Sequence, residues 1–196
     1  MFHEFAVDGH DGAAKTPILE GVAQRLRLQG YSVKTVALFH QANVLVSGGE
    51  IYPLWGSVDS TLWAIALLES LLLEAQTACL THGDDILLYD RHWMTVMVEL
   101  SRHPGLEARW THFVPTFFVQ ASPEKTMVCD RFSFGLPWTS SIQQIEVYYR
   151  RYCDVADRFQ DHIVGRYRVE RKREALEPMI DEIVGIIHRS VARSGR

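Results

Sequence analysis

The chain lacks most features that announce disulfide-built, secreted or membrane-embedded proteins. Its three cysteines, Cys79, Cys129 and Cys153, are odd in number, far apart and without CxxC spacing, which excludes a disulfide framework or a cysteine-rich zinc module. They are expected to be reduced core thiols of a cytoplasmic protein. The nine histidines form no HxxxH or HExxH pattern, so His10, His40 and His92 are weak ligand candidates. No basic region followed by an apolar run opens the sequence, and no leader peptide is expected. A strong excess of charge of one sign is lacking as well. Net charge is −4, and the one basic cluster, Arg166 to Arg173, is interrupted by Glu170, so no nucleic-acid partner is expected. The most apolar stretch, Leu62 to Leu80, carries Glu69, Glu74 and Gln76. Its longest uncharged apolar run, Leu62 to Leu68, falls well short of the ~20 residues a bilayer demands. It reads as a buried helix, with no membrane partner.

What is present is enough apolar material for one sizeable core: 196 residues, 47% of them hydrophobic, predict a single domain over 1–196. Strand-like and helix-like patterns alternate along it. Strands are expected at Phe2–Asp8, Ser32–Phe39, Asp85–Asp90, Phe113–Gln120 and His162–Val169. Helices are expected at Thr16–Leu28, Val58–Thr81, Trp93–Arg102, from Ser122 onward, from Ile142 to Phe159 and at Glu174–Val191. This alternation predicts an α/β fold, a mainly parallel five-stranded sheet with helices on both faces. Asp85 to Asp90 is a continuous apolar run ending in polar residues, the pattern of a central strand that delivers functional groups to its C-terminal edge.

The strongest motif is Asp8-Gly9-His10-Asp11-Gly12-Ala13-Ala14-Lys15-Thr16, placed between a strand and a helix as a phosphate-binding loop must be. Glycines let the backbone curl so that successive N–H groups and the helix N-terminus face an anion. Lys15 would then offset the charge of the β and γ phosphates of ATP, and the Thr16 hydroxyl would ligate Mg2+. Ala14 stands where the usual G-x4-G-K-[ST] pattern has its second glycine. Its methyl group is expected to crowd or strain the loop.

With these residues in view, the chain resembles the thymidylate kinase family of nucleoside monophosphate kinases. Gly9 to Thr16 looks like that family's G-x-D-G-[SA]-G-K-[ST], and Asp90-Arg91-His92 is similar to its D-R-[YH] motif. Ser122-Pro123-Glu124 followed by Asp130-Arg131-Phe132 looks like its P-E segment leading into the lid. The likeness is collinear over nearly the whole chain. It implies a P-loop kinase fold with a short lid around residues 131–141, ATP and Mg2+ as cofactors, and a homodimer. By the same resemblance Gly9, Gly12, Ala13, Ala14, Lys15 and Thr16 bind the nucleotide, and Thr16 and Asp90 hold the metal. Asp11 and Asp90 orient the acceptor, Arg91 binds its anion, and Arg131 stabilises the transferring phosphoryl group; with Lys15 these form the catalytic set.

The departures cluster on the acceptor side. The family's R-E-P-G-G loop is replaced by Phe39-His40-Gln41-Ala42-Asn43, and Glu69 or Ser70 occupies the place of an acceptor-binding arginine on the long helix. Between Met127 and Thr139 only Arg131 remains of the lid arginines. The expected activity is therefore ATP-dependent phosphoryl transfer to a nucleotide, nucleoside or related small molecule other than thymidine monophosphate. A nucleotide-binding protein with impaired catalysis and a polyphosphate-dependent nucleotide kinase remain alternatives. Trp55, Trp93 and Trp138 are candidates to line an aromatic acceptor, while Tyr148, Tyr149 and Tyr152 read as one helix's packing face.

Overall fold

The computed structural model describes residues 3–10, 12–39, 61–82, 85–101, 103, 105–122, 142–169 and 176–194. Asp11, the loop from His40 to Gly56 with Trp55, and the lid around 131–141 with Arg131 and Trp138 lie outside the described residues.

Five strands form one sheet: β1 (His3–Asp8), β2 (Val33–Val36), β3 (Ile86–Asp90), β4 (Thr116–Gln120) and β5 (Ile163–Arg168), in the order β2-β3-β1-β4-β5. Every pairing is parallel, so the expected mainly parallel sheet is wholly parallel among the described residues. Among the described residues five α-helices accompany it: α1 (Lys15–Leu28), α2 (Thr61–Thr81), α3 (Trp93–Leu100), α4 (Ile142–Arg158) and α5 (Leu176–Ser194).

Period-two alternation divides the strands' side chains between two cores. Phe5, Val7, Ile86, Leu88, Phe117 and Val119 point to the face covered by α1 and α5. Ala6, Leu87, Tyr89 and Phe118 point to the face covered by α2, α3 and α4. Both faces are covered, which is why the central strands read as unbroken apolar runs. On the first face α1 and α5 approach closely, Gly21 lying against Ile180. Arg25 pairs with Glu177 and Asp181 at the rim of that contact.

The strand ends differ from expectation for identifiable reasons. β4 begins at Thr116 instead of Phe113. Pro115 has no N–H to give to a ladder, although its carbonyl accepts from Ala6 N at 3.0 Å. Phe113 instead stacks on Phe159 and His162. β2 is confined to Val33–Val36, and Leu38 and Phe39 turn helical to bury themselves under α2. The expectation that α2 is a buried helix is corrected in part. Over Ala64–Thr81 it is long and apolar enough to cross a membrane, yet only 33% of that window is buried. Leu67, Leu68, Leu71 and Ala75 face the core, while Leu62, Leu73 and Leu80 are exposed.

Leu88, at the centre of β3, is 1% exposed and packs in the α1/α5 core. Leu88→Ala should cost ~2–5 kcal/mol through lost burial and the cavity left behind. Urea unfolding checks it: the midpoint should fall with little change in slope.

Candidate functional site

The parallel order places β1 between β3 and β4, so chain connections leave the sheet on opposite sides of β1 and open a crevice at the strands' C-terminal ends. Three sequence elements meet there: the loop after β1, the start of α1, and the Asp90-Arg91-His92 turn after β3.

The loop is pinned from its first residue. Asp8 is completely buried, and its carboxylate accepts four hydrogen bonds: Gly9 N (2.7 Å) and Thr95 Oγ1 (2.6 Å) on Oδ1, His92 N (2.8 Å) and Thr95 N (3.1 Å) on Oδ2. His92 is the N-cap residue of α3, which has no side-chain cap of its own. Asp8 thus supplies, from another strand, the acceptor that the first turn of a helix needs for its orphan N–H groups. Burial pushes the Asp8 carboxyl above the usual carboxylate range, while these donors and the nearby Arg91 charge act in the opposite direction.

Gly9 follows with φ +149°, and a Cβ there would lie 1.9 Å from the Val119 carbonyl oxygen. Only glycine fits between the loop and β4. Gly12 (φ +73°) and Ala14 (φ +58°) also have positive φ, the alternating twist that turns backbone N–H groups towards an anion. Ala14 therefore takes the left-handed conformation that glycine would take without cost, which answers the sequence question of how the alanine is accommodated. Ala13 is fully buried beneath the loop.

His10 fixes the loop's outer limb. Its Nε2 accepts from Ala121 N at 3.0 Å, and its ring meets Tyr149 and Tyr152 edge-on. Burial, with the Lys15 charge nearby, pushes His10 down to about 3, so the ring is neutral and can serve as that acceptor. The His10 carbonyl accepts from Lys15 Nζ at 2.7 Å, which holds the buried ammonium inside the loop's curve. At the mouth, the exposed Thr16 donates its hydroxyl to Asp90 Oδ2 at 2.8 Å.

Arg91 adopts φ +67°, an uncommon left-handed conformation for a long side chain. Its Nη1 donates to the Gly9 carbonyl at 3.2 Å and to Tyr152 OH at 3.2 Å. Tyr152 OH lies 2.8 Å from Thr95 Oγ1, which donates to Asp8. Because the Thr95 hydrogen goes to Asp8, Tyr152 donates to Thr95 and accepts from Arg91. The result is a one-directional relay from a cation to a buried carboxylate. Burial pushes the Tyr152 phenol well above its ordinary value and keeps it protonated for this role.

Of the residues singled out from sequence, Gly9, Gly12, Ala13, Ala14, Lys15, Thr16, Asp90 and Arg91 come together in this crevice. Glu69 is joined instead to Arg109, in the short 3-10 helix Glu107–Arg109, and is exposed there; Ser70 is half-buried on α2. Trp93 is fully buried, its indole donating to Val114 O and Thr116 Oγ1, so it lines no acceptor. Asp11 and Arg131 lie outside the described residues. Sequence reasoning gave no role to Asp8 or Thr95 and treated Tyr152 only as packing. A charged residue closing an apolar strand directly before the loop glycine was the available signal for Asp8.

No known family model matches the chain, and no curated protein matches it in sequence.

Two substitutions probe the loop. Asp8→Asn keeps the shape but turns an amide N–H towards backbone donors, and should cost about 2 kcal/mol or more in urea unfolding. Ala14→Gly should stabilise by up to about 1.5 kcal/mol: relief of roughly 1–2 kcal/mol of left-handed strain, less the ~0.4–1 kcal/mol of added unfolded-state freedom.

Proposed function

We propose that the chain is an ATP-dependent phosphotransferase, moving the γ-phosphoryl group of ATP to a small-molecule acceptor of the nucleotide, nucleoside or related class. The observation that carries this reading is the Thr16 Oγ1 to Asp90 Oδ2 contact of 2.8 Å beside the buried Lys15, at the adjoining ends of β1 and β3. In phosphoryl transfer the protein's task is charge neutralisation and alignment more than covalent chemistry.

The donor set suits the cofactors. A hydroxyl and a carboxylate oxygen at an open, solvent-facing position are hard ligands of the kind Mg2+ takes while keeping most of its waters. Bound there, the ion would supply charge neutralisation across the β and γ phosphates. Lys15 would exchange its carbonyl partner for phosphate oxygens, and the loop's amides would hold the remaining ones. Asp90 and Asp11 would orient the acceptor hydroxyl, and Arg131 would meet the charge developing on the transferring group. Cytoplasmic location, where ATP and reduced thiols coexist, belongs to the same reading, and so does the homodimer.

The acceptor is read as other than thymidine monophosphate. With Arg109 paired to Glu69, that carboxylate is no source of repulsion towards an anionic acceptor. What supports the reading is the missing helix arginine at Glu69-Ser70, because a phosphate of about −1.5 to −2 charge needs cations to offset its desolvation.

The test is ADP formation from Mg-ATP across nucleosides, nucleoside monophosphates and non-nucleotide alcohols, with polyphosphate as a second donor. Lys15→Ala should abolish ATP binding or turnover. Unchanged affinity and rate in that variant would overturn the proposal, and tight ATP binding without turnover on any acceptor would leave a nucleotide-binding protein.

A further inference from the structure

On the α2 face of the sheet, away from the phosphate loop, a second group of half-buried polar side chains meets at the edge of the core. Glu4 enters from β1, Cys79 from α2 and His112 from the segment before β4. Glu4 Oε1 accepts from Tyr89 OH (2.7 Å) and Cys79 Sγ (3.0 Å), and Glu4 Oε2 lies 3.1 Å from His112 Nε2. The Cys79 sulfur is also 3.8 Å from Tyr89 OH. The ligating atoms of Glu4, Cys79 and His112 all lie within 4.8 Å of one another. Ligands of a tetrahedral zinc, with bonds of ~2.0–2.3 Å, stand roughly 3–4 Å apart, so the cluster already has nearly the right dimensions.

A second observation comes from His92. Its ring is completely buried, and neither Nδ1 nor Nε2 has a hydrogen-bond partner. It packs against Tyr89 (4.5 Å between centroids), His112 (5.1 Å) and Trp110 (5.3 Å). A buried imidazole left unpaired costs about 1–3 kcal/mol, and an additional water or ion beside it is one arrangement that removes that cost.

We propose that Glu4, Cys79 and His112 form a zinc site, with a water in the fourth position hydrogen-bonded to His92. The sulfur, nitrogen and oxygen donors select a borderline-soft ion such as Zn2+, in contrast to the oxygen pair Thr16 and Asp90. The two sites are distinct. Glu4 and Asp8 stand on one strand about 13 Å apart, at ~3.3 Å per residue. Without metal, burial and the Glu4 carboxylate push the Cys79 thiol up to about 11, and it acts as a donor to that carboxylate. On binding, the Cys79 proton leaves to solvent, the Zn–S bond replaces the S–H···O hydrogen bond, and Glu4 and His112 are ligated without redox change. Zinc would tie β1, α2 and the segment before β4 together. The tie reaches the loop as well, since His92, whose backbone N–H donates to Asp8, packs on the ligand His112.

The experiment uses the full chain, stripped with a chelator and titrated with Co2+ and then Zn2+. Expected are one equivalent of Co2+ with a thiolate-to-cobalt charge-transfer band, displacement by Zn2+, and a raised melting temperature with Zn2+. The Cys129→Ser/Cys153→Ser double variant should keep the band, because only Cys79 remains. Cys79→Ser should lose it and bind zinc more weakly by at least the ~10–100-fold that removal of an outer-shell partner costs, and His92→Phe should weaken binding within that range. Absence of the thiolate band in the unaltered chain, or its loss in the double variant with retention in Cys79→Ser, would overturn the proposal and leave a metal-free hydrogen-bonded cluster.

Discussion

A single buried carboxylate organises the crevice. Asp8, the last residue of β1, joins the first residue of the loop to the opening turn of α3, accepting from Gly9 N, His92 N, Thr95 N and Thr95 Oγ1. Removing a charge from water is expensive, and the expense is tolerable here because every donor is in place and the N-terminus of α3 adds its own partial positive charge. One consequence is geometric. The loop's starting direction and the position of the Asp90-Arg91-His92 turn are set by the same group, which brings Thr16 on α1 within hydrogen-bonding distance of Asp90 on β3.

That anchoring also explains how the loop tolerates strain. Gly9 is wedged against the Val119 carbonyl, and Ala14 and Arg91 both hold positive φ outside glycine. Each non-glycine residue of this kind costs on the order of 1–3 kcal/mol and persists only where its surroundings over-determine it. The surroundings do so here. His10 is fixed by Ala121, Lys15 by the His10 carbonyl, and α1 by its close packing on α5. A loop held by so many contacts has its shape before any ligand arrives, and preorganisation of this sort lowers the cost of binding a polyanion.

Much of this was legible in the sequence because it is written in local patterns. The five strands follow from β-rich and continuous apolar runs, the described helices from apolar residues at 3.6-residue spacing, and the loop from glycines and Lys-Thr between a strand and a helix. What was not legible depends on partners far apart in the chain. Asp8 bonds residues 84 and 87 positions away, and Glu4 meets Cys79 and His112 at separations of 75 and 108. No spacing rule joins such residues until the register of β1 on β3 and the course of α2 are known. The exposed side of α2 was hidden for a related reason: its leucines surround the helix, so composition does not say which of them meet the core. Glu69 shows the same limit, since counting placed it on the helix but could not supply Arg109.

The charge arrangement around Arg91 bears on the acceptor. A guanidinium whose charge runs through Tyr152 and Thr95 to a buried carboxylate already offsets one negative charge, and its Nη1 is aimed at the Gly9 carbonyl. To receive a phosphate of nearly two charges, Arg91 would have to share itself between that anion and Asp8, and weakening the relay would loosen the group on which the loop depends. An acceptor that presents only a hydroxyl makes no such demand. On the proposed reading, then, the arginine is better understood as a brace that holds the donor loop to the β3 turn than as the principal anion hook. On that same reading, an uncharged acceptor would avoid the cost of disturbing it.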